Sequence, residues 1–131
     1  MGGLTYLDAS ALVKLVVAER ESWALGEALR ERTLLSCDVS RVEFPRAVRS
    51  LGLGTAALDQ ASRVLERVAF HRVERTILER AAMLDPPHLR SLDAIHLATA
   101  LGIPDLASVV TYDRRLAAAA EAAGLVVEAP A

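Results

Sequence analysis

The sequence predicts an α/β fold with a mostly parallel sheet. Two observations carry that prediction. Short apolar runs of strand length recur along the chain, and between them lie longer segments whose apolar residues repeat at helical spacing. Such alternation is how strands joined by helical crossovers look in sequence. The 131 residues, 53% hydrophobic and 24% charged, exclude a disordered chain and suffice for one domain, residues 1–131, with a full core.

Residues 4–7 are apolar, follow Gly2 and Gly3 and end at Asp8, as a buried strand does. Over residues 10–18, Leu12, Val13, Val16 and Val17 recur at helical spacing, and a second helix is predicted over 21–31 with Trp23 and Leu25 buried. Residues 33–37 read as the second strand, followed by a helix to about residue 51 and another over 56–68. A third strand spans 69–73, and a helix over 76–84 is stopped by Asp85, Pro86 and Pro87. Residues 91–101 form the clearest amphipathic helix, closed by Gly102 and Pro104. Residues 108–111, 114–123 and 125–127 give the fourth strand, an Ala-rich last helix and the fifth strand.

In an open parallel sheet, ligands bind beyond the carboxyl ends of the strands, where the strand order reverses. Asp8 and Asp113 fall at or just past predicted strand ends, while Glu43 and Asp93 lie early in predicted helices, so all four face one rim if those helices start there. Crowded carboxylates repel: at ~4 Å a pair costs on the order of 4 kcal/mol at an effective dielectric near 20. A divalent cation removes that cost, so the set reads as a metal site. Singly, each acid has a plainer account. Asp8 and Asp113 suit helix N-caps, Asp93 a first-turn acid favoured by the helix dipole, and Ser40 with Glu43 a capping box. Capping, however, places no demand on where different helices start relative to one another. It also leaves Ser10 and Thr111 unexplained, hydroxyls that each stand two residues from an acid and can orient its carboxylate.

Four segments occur in order: LDASALVKL with Asp8 and Ser10, Glu43 after the second strand, SLDAIHLATAL with Asp93, and VVTYDRRL with Thr111 and Asp113. Together they resemble the PIN domains, and among them the VapC-type ribonuclease toxins of bacterial and archaeal toxin–antitoxin pairs. The likeness covers essentially the whole chain. It implies a Rossmann-like, doubly wound, three-layer α/β/α domain with a five-stranded parallel sheet. It further implies one or two Mg2+ or Mn2+ ions held by Asp8, Glu43, Asp93 and Asp113 with help from Ser10 and Thr111, and an endoribonuclease that cleaves RNA with metal-activated water. A homodimer silenced by a cognate VapB-type antitoxin belongs to the same resemblance. Hard cations with oxygen ligands suit these residues, and no Cys or His cluster competes for zinc.

Net charge is −2, from 15 basic and 17 acidic residues, which argues against coating nucleic acid by bulk electrostatics but not against a metal-neutralised nuclease. Arg90, Arg114 and Arg115 flank two of the acids and are the candidate contacts to the RNA backbone, because Arg grips phosphate in a bidentate fork. Leu12, Val13, Leu15, Val16, Val17, Trp23 and Leu25 give the first two helices more apolar surface than one core stripe needs, which suits a partner helix. Pro45 follows Glu43 closely, so the helix carrying Glu43 is expected to start late or to kink. The run Gly52-Leu53-Gly54-Thr55-Ala56-Ala57 loosely matches a dinucleotide-binding pattern but follows a helix, and is read as a helix-to-helix turn. His96, on a largely apolar helix, is read as a satisfied structural residue, and the lone Cys37 as a small buried hydrophobe. A single cysteine, an N-terminus unlike a secretory signal and no uncharged stretch beyond the eleven residues between Asp93 and Asp105 predict no membrane span and a reducing, cytoplasmic setting. Two rival classes are a PIN-like binding module without catalysis and a receiver-like signalling domain. The latter needs a lysine late in the chain, and Lys14 is the only one.

Overall fold

A computed structural model describes residues 3–131. Strand β1 (Leu4–Leu7) runs into α1 (Ala9–Lys14), and α2 (Ser22–Ala28) returns the chain to β2 (Thr33–Cys37). Helices α3 (Ser40–Ser50) and α4 (Thr55–Glu66) lead to β3 (Val68–His71), and α5 (Arg75–Ala82) and α6 (Ser91–Leu101) to β4 (Leu106–Val110). Helix α7 (Arg114–Ala122) precedes β5 (Val127–Glu128). Among the described residues the strands form one five-stranded sheet in the order β3-β2-β1-β4-β5, and all neighbours are parallel.

Side chains alternate across the sheet with the strand period of two. Leu7, Leu34, Val68 and Val110 share one face with Leu12, Leu25, Phe44 and Val64 of α1 to α4. Tyr6, Leu35, Cys37 and Val109 share the other with Ala100 and Ile103. On that second side, α6 packs on α7 through Leu97, Leu116 and Ala120, and on α5 through Ala94, Ala98 and Ala81. Helices therefore cover both faces, which is the predicted three-layer arrangement. The strand order reverses between β1 and β4, and the helices that follow them leave to opposite faces, so a crevice opens at their carboxyl ends. At the opposite end, Gly3 lets the backbones approach: a Cβ there would meet the Ala107 Cβ at 2.7 Å.

Several elements differ from the sequence expectation for identifiable reasons. Gly2, predicted to precede β1, lies outside the described residues. Helix α1 ends at Lys14. Trp23, expected to be buried, is 78% exposed. Leu25 and Leu29 sit four apart and fill the core face of α2, and Trp23 lies about 200° around the helix from Leu25. Leu12 and Leu25 are core residues and Val13, Leu15 and Val16 pack against them, so most of the apolar surplus of the first two helices is used internally. Val68 pairs with Leu34 and begins β3 instead of ending α4. Strand β5 starts later than expected because the Leu125 amide still bonds to the Ala120 carbonyl and closes α7. Helix α3 does not start late. It begins at Ser40 and continues through Pro45, whose missing N–H deprives only the carbonyl of Arg41, an exposed residue, while Phe44 anchors the turn in the core. Gly52 (φ 65°) and Gly54 (φ 86°) make the turn between α3 and α4. No helix among the described residues is long and apolar enough to cross a membrane.

Candidate active site

Strand β1 ends by delivering Asp8, whose extended backbone makes it the N-cap of α1. Asp8 Oδ1 accepts from the Ala11 amide at 3.1 Å and from the Ser10 hydroxyl at 2.7 Å. Oδ2 accepts from the Thr111 hydroxyl at 2.8 Å, just past the end of the neighbouring strand β4. Thr111 Oγ1 in turn accepts from the Asp113 amide at 3.1 Å, and Ser10 Oγ from the Tyr112 amide at 3.0 Å. Two hydroxyls thus lace the ends of β1 and β4 around one carboxylate. Asp8 is 4% exposed, and burial raises its pKa against the opposing donors Ser10 and Thr111.

Asp113 caps α7, its Oδ1 accepting from the amides of Arg115 (2.9 Å) and Leu116 (3.2 Å). Its Oδ2 accepts from Arg90 Nη2 at 3.0 Å. The plainer account and the site account therefore hold together for Asp8 and Asp113: each caps a helix through Oδ1, while Oδ2 of Asp8 takes Thr111 and Oδ2 of Asp113 takes Arg90, and both residues line the crevice. Asp93 lies in the first turn of α6, and its Oδ2 is buried without a hydrogen-bond partner. Arg90 Nε stands 3.4 Å from that oxygen, a distance of charge attraction without a hydrogen bond. Burial first, and then the neighbouring Asp113, raise the Asp93 pKa, with Arg90 opposing.

Glu43 departs from its plainer account. The N-cap of α3 is Val39, with no side-chain cap, and the Ser40 hydroxyl shares a 2.7 Å hydrogen bond with Ser36. No capping box forms. Instead Glu43 Oε1 lies 2.7 Å from His96 Nε2. His96 is 1% exposed; its Nδ1 is 2.7 Å from the Tyr6 hydroxyl and 3.6 Å from Cys37 Sγ. Burial disfavours the imidazolium, but the hydrogen bonds to Cys37 and Glu43 outweigh it and raise the His96 pKa to about 10. Burial likewise pushes the Cys37 thiol up, and His96 brings it below its ordinary value. His96 is buried and satisfied, as predicted for a structural histidine, yet its partner is one of the four acids. The spacing of three residues puts His96 on the same face of α6 as Asp93, but it does not point to Glu43 on α3.

Asp8, Ser10, Glu43, Arg90, Asp93, His96 and Asp113 line one cavity of about 320 Å3. Arg114 and Arg115 are exposed outside it, and Arg115 lines a separate apolar cavity with Pro86, His88 and Ala122. Of the three arginines singled out, only Arg90 brings its side chain to the acids, while Arg115 meets Asp113 through its backbone amide. Among the described residues, no three His, Cys, Asp or Glu side chains close on one point as a ready-made cage. The donor set nevertheless fits a hard divalent cation: the acids offer only oxygen, Asp93 Oδ2 is orphaned, and Arg90 supplies positive charge between Asp93 and Asp113.

The PIN domain family model matches residues 5–122. Ribonuclease VapC46 of Mycobacterium tuberculosis is 45% identical over 128 residues, covering 95% of this chain and 96% of its own length. Two solved structures share the fold. One is VapC20 of Mycobacterium tuberculosis, described as a sarcin-ricin loop cleaving toxin, with a TM-score of 0.74, 16% identity and 97% and 99% of the two chains covered. The other is VapBC2 from Rickettsia felis bound to a DNA fragment from their promoter, with a TM-score of 0.71, 12% identity and 95% and 97% covered. This chain belongs to the PIN domain family, among the VapC ribonucleases.

Proposed function

We propose that this PIN domain is a VapC-type endoribonuclease that hydrolyses RNA phosphodiester bonds with Mg2+ or Mn2+ held by Asp8, Glu43, Asp93 and Asp113. The observation that supports this reading is the buried Asp93 Oδ2, which accepts no hydrogen bond and has only Arg90 at 3.4 Å, in a cavity shared with three other carboxylates. Such an oxygen costs about 1–3 kcal/mol or more when charged, and a cation offsets that cost. When bound, the ion supplies Lewis-acid polarisation of the phosphate and activation of the attacking water.

The protein's own groups have separable tasks. Ser10 and Thr111 fix the Asp8 carboxylate from both sides. Arg90, 65% exposed at the cavity mouth, exchanges its exposed pairing with Asp113 for an RNA phosphate, because such a pair is worth only about 0–1 kcal/mol. Arg114 and Arg115 extend the positive rim outside the cavity. A cognate VapB-type antitoxin, a homodimer and a cytoplasmic setting complete the reading, and the buried free Cys37 suits a reducing compartment.

The test is cleavage of a total-RNA pool by antitoxin-free protein in Mg2+, Mn2+ or chelator, beside Asp93→Asn. Discrete products that need metal and vanish in the variant are expected. Cleavage that persists in chelator, or full activity in Asp93→Asn, overturns the proposal.

A further inference from the structure

We propose that His96 is the positioning residue for Glu43: its Nε2–H holds the Glu43 carboxylate at the crevice, and the buried Tyr6 hydroxyl fixes the ring from the other side. The inference rests on the metal site proposed above and names what aims one of its ligands.

Glu43 has nothing on its own element to hold it. Its helix begins without a side-chain cap, Ser40 is turned to Ser36, and Pro45 follows two residues on. Among the described residues, the one hydrogen bond of the Glu43 side chain is the 2.7 Å contact with His96. Asp8, by contrast, accepts three hydrogen bonds. Asp113 accepts three as well. A carboxylate only accepts, so Nε2 carries a proton whether the ring is neutral or charged. The other nitrogen meets the hydroxyl of Tyr6, a fully buried residue on β1 two positions before Asp8, with the rings packed edge to face at 72°. The ring, carried by α6, the helix that also carries Asp93, is thus clamped between Tyr6 of β1 and Glu43 of α3. One helix supplies an acid and aims another, and loss of such an orienting partner typically weakens metal binding about 10–100-fold.

A core histidine with no such role predicts a different pattern, so affinity must be separated from stability. Mn2+ affinity is read by titration calorimetry on purified, antitoxin-free protein, together with Tm, for wild type, His96→Leu, His96→Gln, Glu43→Gln and the His96→Leu/Glu43→Gln double variant. Expected are a 10–100-fold loss in His96→Leu, partial recovery in His96→Gln, whose amide can still donate, and no further loss when His96→Leu is added to Glu43→Gln. Unchanged affinity in His96→Leu, or an equal loss in both backgrounds, overturns the inference alone. Absence of Mn2+ binding by wild type overturns the metal reading and this inference with it. Should His96→Leu fail to fold, the histidine ring 15N–1H correlation of wild type decides: an Nε2–H signal that moves in Glu43→Gln supports the clamp, and an unprotonated Nε2 overturns it.

Discussion

Replacing Thr111 with Val removes one oxygen and keeps the shape of a side chain that is 1% exposed. The change deletes the 2.8 Å donation to Asp8 Oδ2 and the acceptor of the Asp113 amide. A hydrogen bond to a charged group contributes about 1.5–3 kcal/mol, and an orphaned amide costs about 1–3 kcal/mol when fully buried. The Asp113 amide is only partly buried, so water recovers some of that cost. Destabilisation of about 2–4 kcal/mol at pH 7 follows, and Tm should fall by about 10 °C. The effect also has a pH signature. Burial already raises the Asp8 pKa, and losing a donor raises it further. A raised folded pKa means that the folded state holds the proton more tightly than the unfolded chain. The contribution is therefore full below the unfolded value of about 3.9 and is lost as pH rises through the folded pKa. The penalty of Thr111→Val should accordingly grow between about pH 4 and neutrality. Urea unfolding in chelator at several pH values measures it as a shift in midpoint with an unchanged slope. Thr111→Ser keeps the hydroxyl and should lose only about 1 kcal/mol for its methyl group. A Val variant within about 0.5 kcal/mol of wild type, or a Ser variant as weak as Val, would refute the reasoning.

Elsewhere, Glu128 of β5 is held by Arg32 at 2.6 Å and by Ser108, and the Arg32 hydrogen bond leads in lowering its pKa. A depressed carboxyl contributes stability above its unfolded value of about 4.3 that is lost as pH falls through the folded pKa. Glu128→Gln should therefore cost about 1–2 kcal/mol at pH 7 and flatten the acid limb of stability, read by urea unfolding from neutral to acid pH. Gly3→Ala forces a Cβ against Ala107 and should destabilise by about 1–3 kcal/mol, measured as a lower urea midpoint. Trp23→Ala, at a side chain already 78% exposed, should change unfolding free energy by less than about 0.5 kcal/mol; a larger loss would mean that the indole packs in solution.

What the sequence discloses here is whatever short-range chemistry decides. Strands β1 and β2 and helix α6 were readable because apolar runs of the right length end at acids, glycines or prolines. The gathering of Asp8, Glu43, Asp93 and Asp113 at one cavity follows from topology once a parallel sheet is assumed. Misreadings arose where a distant partner outvotes the local pattern. Val68 looks like the end of a helix until Leu34 pairs with it. Ser40 and Glu43 spell a capping box until Ser36, from the preceding strand, takes the hydroxyl. The pairing of Glu43 with His96 depends on how α3 and α6 are set against the sheet, and no spacing within either helix encodes it. Trp23 misled because hydrophobicity alone does not say which side of a short helix faces inward.

The place of β1 at the centre of the sheet bears on the order of synthesis. β1 is the first strand made, yet one of its two edges is completed only by β4, at residues 106–110. Asp8 and Glu43 emerge early, whereas Asp93 and Asp113 arrive with the last third of the chain. A ribosome-bound chain that stops after α5 carries half of the acids beside an open sheet edge and no crevice. The crevice and its full set of acids are thus assembled only when synthesis of the chain is nearly complete, so a truncated copy that lacks β4 and α7 has neither.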